Sequence, residues 1–192
     1  MTETMNALPR PGQFIRNGSR PGRIEEMLRV DHAGEYGAVN IYRGQRAVFD
    51  ALPGKSRMAS MIRDMEKGEA HHLETFDRLL VEREIRPTVF APLWNAAGFT
   101  LGAVTALMGE KSAMACTSAV ERVIEGHYAE QAAELPESEA DLKETIETFR
   151  EEELEHHDTA IREGAEESFG YGLMKSVIEA VCRTAIKVAE KL

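Results

Sequence analysis

Two Glu-x-x-His steps stand out in this 192-residue sequence: Glu69 with His72, and Glu153 with His156. On a helix, residues three apart share one face about a turn apart, so each step aims a carboxylate and an imidazole at one region. Taken singly, such a step is common in acidic helices and means a solvated charge or a structural histidine. Here both steps interrupt apolar stripes. Met58, Ile62, Met65, Glu69, His72, Phe76 and Leu79 recur at alternating steps of four and three, and so do Leu142, Ile146, Phe149, Glu153, His156 and Ala160. That period marks a core-facing stripe. Within "EEELEHHDT", Glu153 and His156 therefore point inward, while Glu151, Glu152, Glu155, His157 and Asp158 are expected in solvent. His32 and His71 carry no such signal and are expected to be ordinary structural or surface residues.

Two further glutamates share the pattern. Leu28, Glu35, Tyr42 and Phe49 follow one another at seven-residue steps, as do Met114, Glu121, Tyr128 and Leu135. Each Glu is followed ten residues later by a glutamine, Gln45 or Gln131, and then by one of the Glu-x-x-His steps. The order Glu, Tyr, Gln, Glu-x-x-His thus occurs twice at nearly equal spacing, as a duplicated helix pair would give. Tyr42 and Tyr128 are expected mainly as core packing. His127, next to the inward Tyr128, is a candidate for supporting the same centre.

Four buried carboxylates require a counter-charge or must give up their ionisation. No Arg or Lys lies regularly on these stripes. Two divalent cations would balance four ionised glutamates, and two neutral imidazoles would complete the coordination. Calcium and magnesium favour all-oxygen sites, whereas structural zinc favours thiolate and imidazole. Carboxylates with some imidazole suit iron or manganese. One Glu from each of two helices and Glu-x-x-His from two others is the ligand pattern of carboxylate-bridged two-metal bundles.

The elements that must position these groups are legible from their punctuation. Helices are expected over about 23–52, ending at Pro53-Gly54; 55–85, ending before Pro87; 92–109; 110–135, ending at Pro136; 137–164; and from 169 to the end. No segment alternates as a strand does, so the class is all-α, a four-helix bundle with two additional helices. Residues 1–22, rich in Pro and Gly, are expected to be a flexible lead-in without the apolar stretch of a secretory signal, and 23–192 to be the domain. A net charge of −10 with no basic block argues against non-specific nucleic-acid binding. The two cysteines, Cys116 and Cys182, sit in apolar surroundings and are expected to be reduced.

Two features concern a substrate. From Pro87 to Gly109 there is no charged residue. Pro92, Asn95 and the glycines make it a poor membrane span, leaving a buried core helix or a helix lying in one membrane leaflet, with Trp94 near the headgroups. Glycines 34, 37 and 44 each cost about 1 kcal/mol relative to alanine within a helix. Room for a flat substrate beside Glu35, or close helix packing, would account for them.

The stretches "LRVDHAGEYGAVNIYRGQ", "EKGEAHHLETF", "RPTVFAPLWNAAGFTLGAVTALMG", "AMACTSAVE" and "FREEELEHHDTA" resemble the demethoxyubiquinone hydroxylase family, over about Ile24 to the C-terminus. The resemblance implies a ferritin-like bundle with a two-iron centre ligated by Glu35, Glu69, His72, Glu121, Glu153 and His156. His127 and Tyr128 match positions that the family places close to the irons. It further implies hydroxylation of the ring of 6-methoxy-3-methyl-2-polyprenyl-1,4-benzoquinone with O2 and electrons from NADH, although no dinucleotide-binding glycine fingerprint is present. The charge-free segment would then be a peripheral membrane contact. The expected location is the cytoplasmic face of a bacterial cell membrane, or the matrix face of the inner mitochondrial membrane in a eukaryote. A lipid-binding accessory protein and a homo-oligomer are expected partners. The alternative on the same ligands is a ferritin-like or rubrerythrin-like protein that oxidises iron or removes peroxide; a non-catalytic bundle with a structural metal site is the other.

Overall fold

A computed structural model describes residues 22–191. They form six α-helices: α1 (Arg23–Ala51), α2 (Ser56–Glu82), α3 (Ala91–Leu107), α4 (Glu110–Glu134), α5 (Ala140–Arg162) and α6 (Tyr171–Ala189). Short 3-10 turns precede α5 and α6, and no strand occurs among the described residues. All six expected helices are present, with boundaries differing by a few residues where ends fray. The lead-in expected over 1–22 lies outside the described residues except for Gly22. Gly109, with φ +117°, lets the chain turn straight from α3 into α4, a backbone state that side-chain-bearing residues rarely adopt.

The core is split in two. One apolar cluster holds Phe49, Met58, Ile62, Met65, Met114 and Ala160. The other holds Leu28, Phe76, Leu80, Leu135, Ile146 and Phe149. Along each of α1, α2, α4 and α5, the inward glutamate lies in sequence between the residues given to the two clusters. The charged centre is therefore plugged by hydrocarbon at both ends, and α1 and α5 run opposite to α2 and α4. Burying these side chains supplies the main stabilisation, at about 25 cal/mol per Å2 of apolar surface.

Helix α3 is not a buried core helix. It lies along the outside of α1, and its small residues make the seam. A Cβ on Gly102 would sit 2.0 Å from the Ile41 carbonyl oxygen, and one on Gly44 would sit 2.2 Å from that of Phe99. Asn95 Nδ2 also donates to the Tyr36 hydroxyl at 3.2 Å. The opposite face leaves Leu93, Val104, Leu107 and Met108 exposed, and α6 does the same with Leu173, Val177 and Val181. Among the described residues, no helix is long and apolar enough to cross a membrane.

Candidate metal centre

The six expected ligand residues converge. Glu35, Glu69, His72, Glu121 and Glu153 are buried and His156 is nearly so. They form two overlapping groups that can each hold a metal ion: Glu35, Glu69, His72 and Glu153, and Glu69, Glu121, Glu153 and His156. Within each group the ligand atoms lie within 4.8 Å of one another. Glu69 and Glu153 belong to both, as bridging carboxylates would, while Glu35 with His72 and Glu121 with His156 belong to one each.

The contacts have the character of ligands facing a common point. His72 Nδ1 is 3.0 Å from Glu153 Oε1, and 3.6 Å from both Glu35 Oε2 and Glu69 Oε2. His156 Nδ1 is 2.8 Å from Glu69 Oε1 and 3.6 Å from Glu153 Oε2. Despite this proximity, Glu35 Oε2, Glu121 Oε2, both oxygens of Glu69 and Glu153, and both Nδ1 atoms lack a hydrogen-bond partner. So many unsatisfied polar atoms in one buried place are costly unless something polar binds them. A pair of cations fits this donor set, which is oxygen-rich with one imidazole per position.

The surrounding groups fix the ligands. The Tyr42 hydroxyl donates to Glu121 Oε1 at 2.5 Å, and the Tyr128 hydroxyl donates to Glu35 Oε1. Each tyrosine comes from one half of the duplicated pattern and serves the glutamate of the other. These phenols are core residues, as expected, but they also hold a carboxylate in place. Glu152 departs from expectation: it is 44% exposed, yet its Oε2 accepts from His72 Nε2 at 2.5 Å. With Nε2 held by Glu152, Nδ1 is the nitrogen turned toward the other carboxylates, the one that would meet a metal ion, and the carboxylate behind the ring makes it a stronger ligand. The stripe pattern missed Glu152 because a seven-residue period assigns a position to one face and is blind to reach across a groove.

Electrostatics follow from burial and crowding. Burial pushes Glu35 and Glu121 well above the usual carboxyl range, and the charges of Glu153 and Glu69 add to this. Burial also opposes ionisation of Glu69, but His156 and His72 outweigh it and hold Glu69 at about 2. Burial disfavours the charged form of His156; Glu153 and Glu69 overcome that and raise it to about 10. His72 is raised in the same way by Glu153, Glu35 and Glu69. With only its own groups, the cluster holds protons where divalent cations would neutralise it.

An apolar cavity of about 280 Å3 reaches this centre between α1, α3, α4 and α6. Glu35, Tyr128, His127 and Asp31 line it beside Gly34 and Gly37. A Cβ on either of these glycines would meet nothing within 4 Å. The three glycines therefore divide: Gly44 serves close packing, and Gly34 and Gly37 leave room beside Glu35. His127 does not ligate in either group; its Nε2 meets Gln131 Nε2 at 2.8 Å, and burial lowers its pKa. His32, by contrast, contacts Asp77 at 2.9 Å, and His71 packs near the Phe149 ring; neither belongs to either ligand group.

Sequence comparisons agree with this geometry. The family model described as Ubiquinone biosynthesis protein COQ7 matches residues 22–189. A Rhodospirillum rubrum protein named 3-demethoxyubiquinol 3-hydroxylase is 48% identical over 169 residues, 88% of this chain and 78% of the relative. The human NADPH-dependent 3-demethoxyubiquinone 3-hydroxylase, mitochondrial, is 46% identical over 185 residues, 94% of this chain and 83% of the relative. A Saccharomyces cerevisiae 5-demethoxyubiquinone hydroxylase, mitochondrial, is 38% identical, covering 88% and 78%. With a centre that can hold metal beside an apolar cavity, and a family match spanning nearly all described residues, the chain belongs to the COQ7 family of ubiquinone biosynthesis proteins.

Proposed function

We propose that this protein is a demethoxyubiquinone hydroxylase, a monooxygenase with a two-iron centre in a ferritin-like bundle. The observation that carries the reading is the junction of two features: paired Glu/His groups sharing Glu69 and Glu153, and an apolar cavity whose wall includes Glu35. The names of the relatives supply the substrate class, a demethoxylated ubiquinone ring.

Glu35, Glu69, His72, Glu121, Glu153 and His156 would hold the two ions. Bound there, iron would supply O2 activation and transfer of one oxygen atom to the ring, the other leaving as water. The chain's own groups do the rest. Glu69 and Glu153 belong to both groups and would serve both ions. Tyr42 and Tyr128 restrain the outer glutamates, and Glu152 fixes the His72 ring. The hydrocarbon plugs and the cavity wall keep bulk water from the reacting ring. Gly34 and Gly37 give a flat ring its approach to Glu35.

A substrate with a polyprenyl tail resides in a membrane. The exposed apolar faces of α3 and α6 are proposed to rest on one leaflet, in the bacterial cell membrane or, as in the relatives named mitochondrial, an organellar one. Reducing equivalents are proposed to come from a nicotinamide; the human relative is named for NADPH, so both NADPH and NADH are the donors to test. An iron-oxidising or peroxide-removing protein on the same ligands would have no use for the apolar cavity.

The test is a single turnover. Protein loaded anaerobically with Fe2+ receives a short-tailed demethoxyquinone, NADH or NADPH, and isotopically labelled O2, and the quinone is weighed. One labelled oxygen in the ring, absent in Glu153→Ala, is expected. Fast iron oxidation with an unchanged quinone would refute the hydroxylase in favour of the iron-oxidising alternative.

A further inference from the structure

The duplicated pattern contains its own control. Four residues before the Glu of each half stand Asp31 and Thr117, and four before each Gln stand Ile41 and His127. In one half, Gln45 Nε2 donates to Thr117 Oγ1 at 3.3 Å and to the Ala113 carbonyl at 3.1 Å. In the other, Gln131 Nε2 donates to Asp31 Oδ1 at 2.7 Å. Both are the same crosslink between α1 and α4, and both are buried. The Thr117 version makes that crosslink with a neutral hydroxyl. Packing therefore does not call for a carboxyl at residue 31, nor for an imidazole at residue 127.

The carboxyl occurs on the half that faces the cavity, whereas Thr117 is not part of the lining. Asp31 is 3% exposed, and its Oδ2 has no hydrogen-bond partner. Its other oxygen is fixed by Gln131, with His127 Nε2 at 3.6 Å. One helical turn separates it from Glu35 on the same face of α1. Trp94 is also a lining residue, and apart from the candidate ligand Glu35 its indole Nε1 is the other unpartnered buried side-chain polar atom that the lining residues carry. An apolar cavity fixes the orientation of a ligand through a small number of convergent polar groups.

We propose that Asp31 is a substrate-binding residue: its Oδ2 hydrogen-bonds an oxygen of a para-dioxygenated ring in the cavity and so sets which ring edge faces Glu35. This rests on the quinone reading of the cavity given above. Burial raises the Asp31 carboxyl well above its usual range, more than Gln131 and the charge of Arg23 lower it. A carboxyl that keeps its proton can donate to a quinone carbonyl and can accept from a quinol hydroxyl, so one residue serves both redox forms.

The experiment uses iron-loaded, oxidised protein under argon without reductant, so no turnover occurs. The single tryptophan, Trp94, lines the cavity and reports binding of a short-tailed methoxy-methyl-benzoquinone by fluorescence quenching. A ring with the same tail and no oxygens is measured by its displacement of that quinone. Wild type is expected to prefer the dioxygenated ring. In Asp31→Thr, which copies the Thr117 crosslink, and in Asp31→Val, that preference is expected to fall about tenfold, one buried hydrogen bond's worth, with iron content unchanged. An unchanged ratio of the two dissociation constants in either folded variant overturns the role of Asp31 and leaves the cavity reading standing. Absence of quinone binding in wild type overturns the cavity reading, and this inference with it.

Discussion

The seam between α1 and α3 sets up a sharp contrast between two alanine substitutions. In Gly102→Ala the new methyl would lie 2.0 Å from the Ile41 carbonyl oxygen and 2.8 Å from its carbon. Both atoms are backbone, so no rotamer change relieves the clash, and the helices must separate by about 1 Å or more. Overpacking of this kind costs about 1–3 kcal/mol, and a backbone obstacle belongs at the upper end. The gain in helix propensity offsets about 1 kcal/mol of that. The net loss is therefore about 2 kcal/mol, a fall in Tm of roughly 4–8 °C for a chain of this size. Gly37→Ala meets nothing within 4 Å and keeps the propensity gain, so it should be more stable by about 1 kcal/mol. Its methyl enters the cavity beside Glu35 and should weaken binding of the short-tailed quinone. Thermal and denaturant unfolding followed through Trp94, which is carried on α3, measures both stabilities. A Gly102→Ala protein as stable as wild type would refute the seam, and a destabilised Gly37→Ala would refute the division of the glycines.

Glu152→Gln keeps an acceptor for His72 but removes the charge behind it. Because Glu152 is 44% exposed, the effect is expected at the low end of the range for such supporting residues, about a tenfold weaker hold on one of two metal ions; chelator competition giving two unchanged affinities would contradict this. Protein stripped of metal should lose stability as pH rises. His156 is raised to about 10 from its ordinary 6.5, so its contribution is complete below about 6.5 and is lost as pH climbs through about 10. Glu35 and Glu121, also raised, lose theirs in the same direction from a lower pH. Metal-loaded protein should not follow, because cations take the place of those protons; Tm against pH for both forms measures it, and a stripped protein that gains stability toward pH 9 would contradict the reasoning.

Much of the centre was legible because metal ligands on helices obey the same period as the core. Glu69, His72, Glu153 and His156 occupy places where a leucine would be unremarkable, so a polar residue there announces itself. What the period cannot carry is reach between helices. Glu152 lies off the apolar stripe of its own helix, and its partner, His72, stands on α2. Asp31 had a usable signal, one turn before Glu35 on the same face, but only the Gln131 contact and the cavity give it meaning. The charge-free run at Pro87–Gly109 left burial and exposure equally open. The decision lay in Gly98 and Gly102, which bring one face of α3 against α1 and leave the other outside.

The reciprocal service of the two tyrosines and two glutamines has a consequence for how such a centre can specialise. Each helix hairpin completes the other, so a pair of identical half-length chains would assemble the same ring of ligands by a two-fold axis. Such a pair is bound by its own symmetry: any residue placed on one flank is repeated on the opposite flank. An aspartate admitted at one doorway would be admitted at both, and a threonine seal on one side would seal the other. Joining the halves in a single chain releases that bond. Residue 31 can then turn toward a ligand while residue 117 keeps its plain structural duty, and one side of a symmetric metal pair becomes a front.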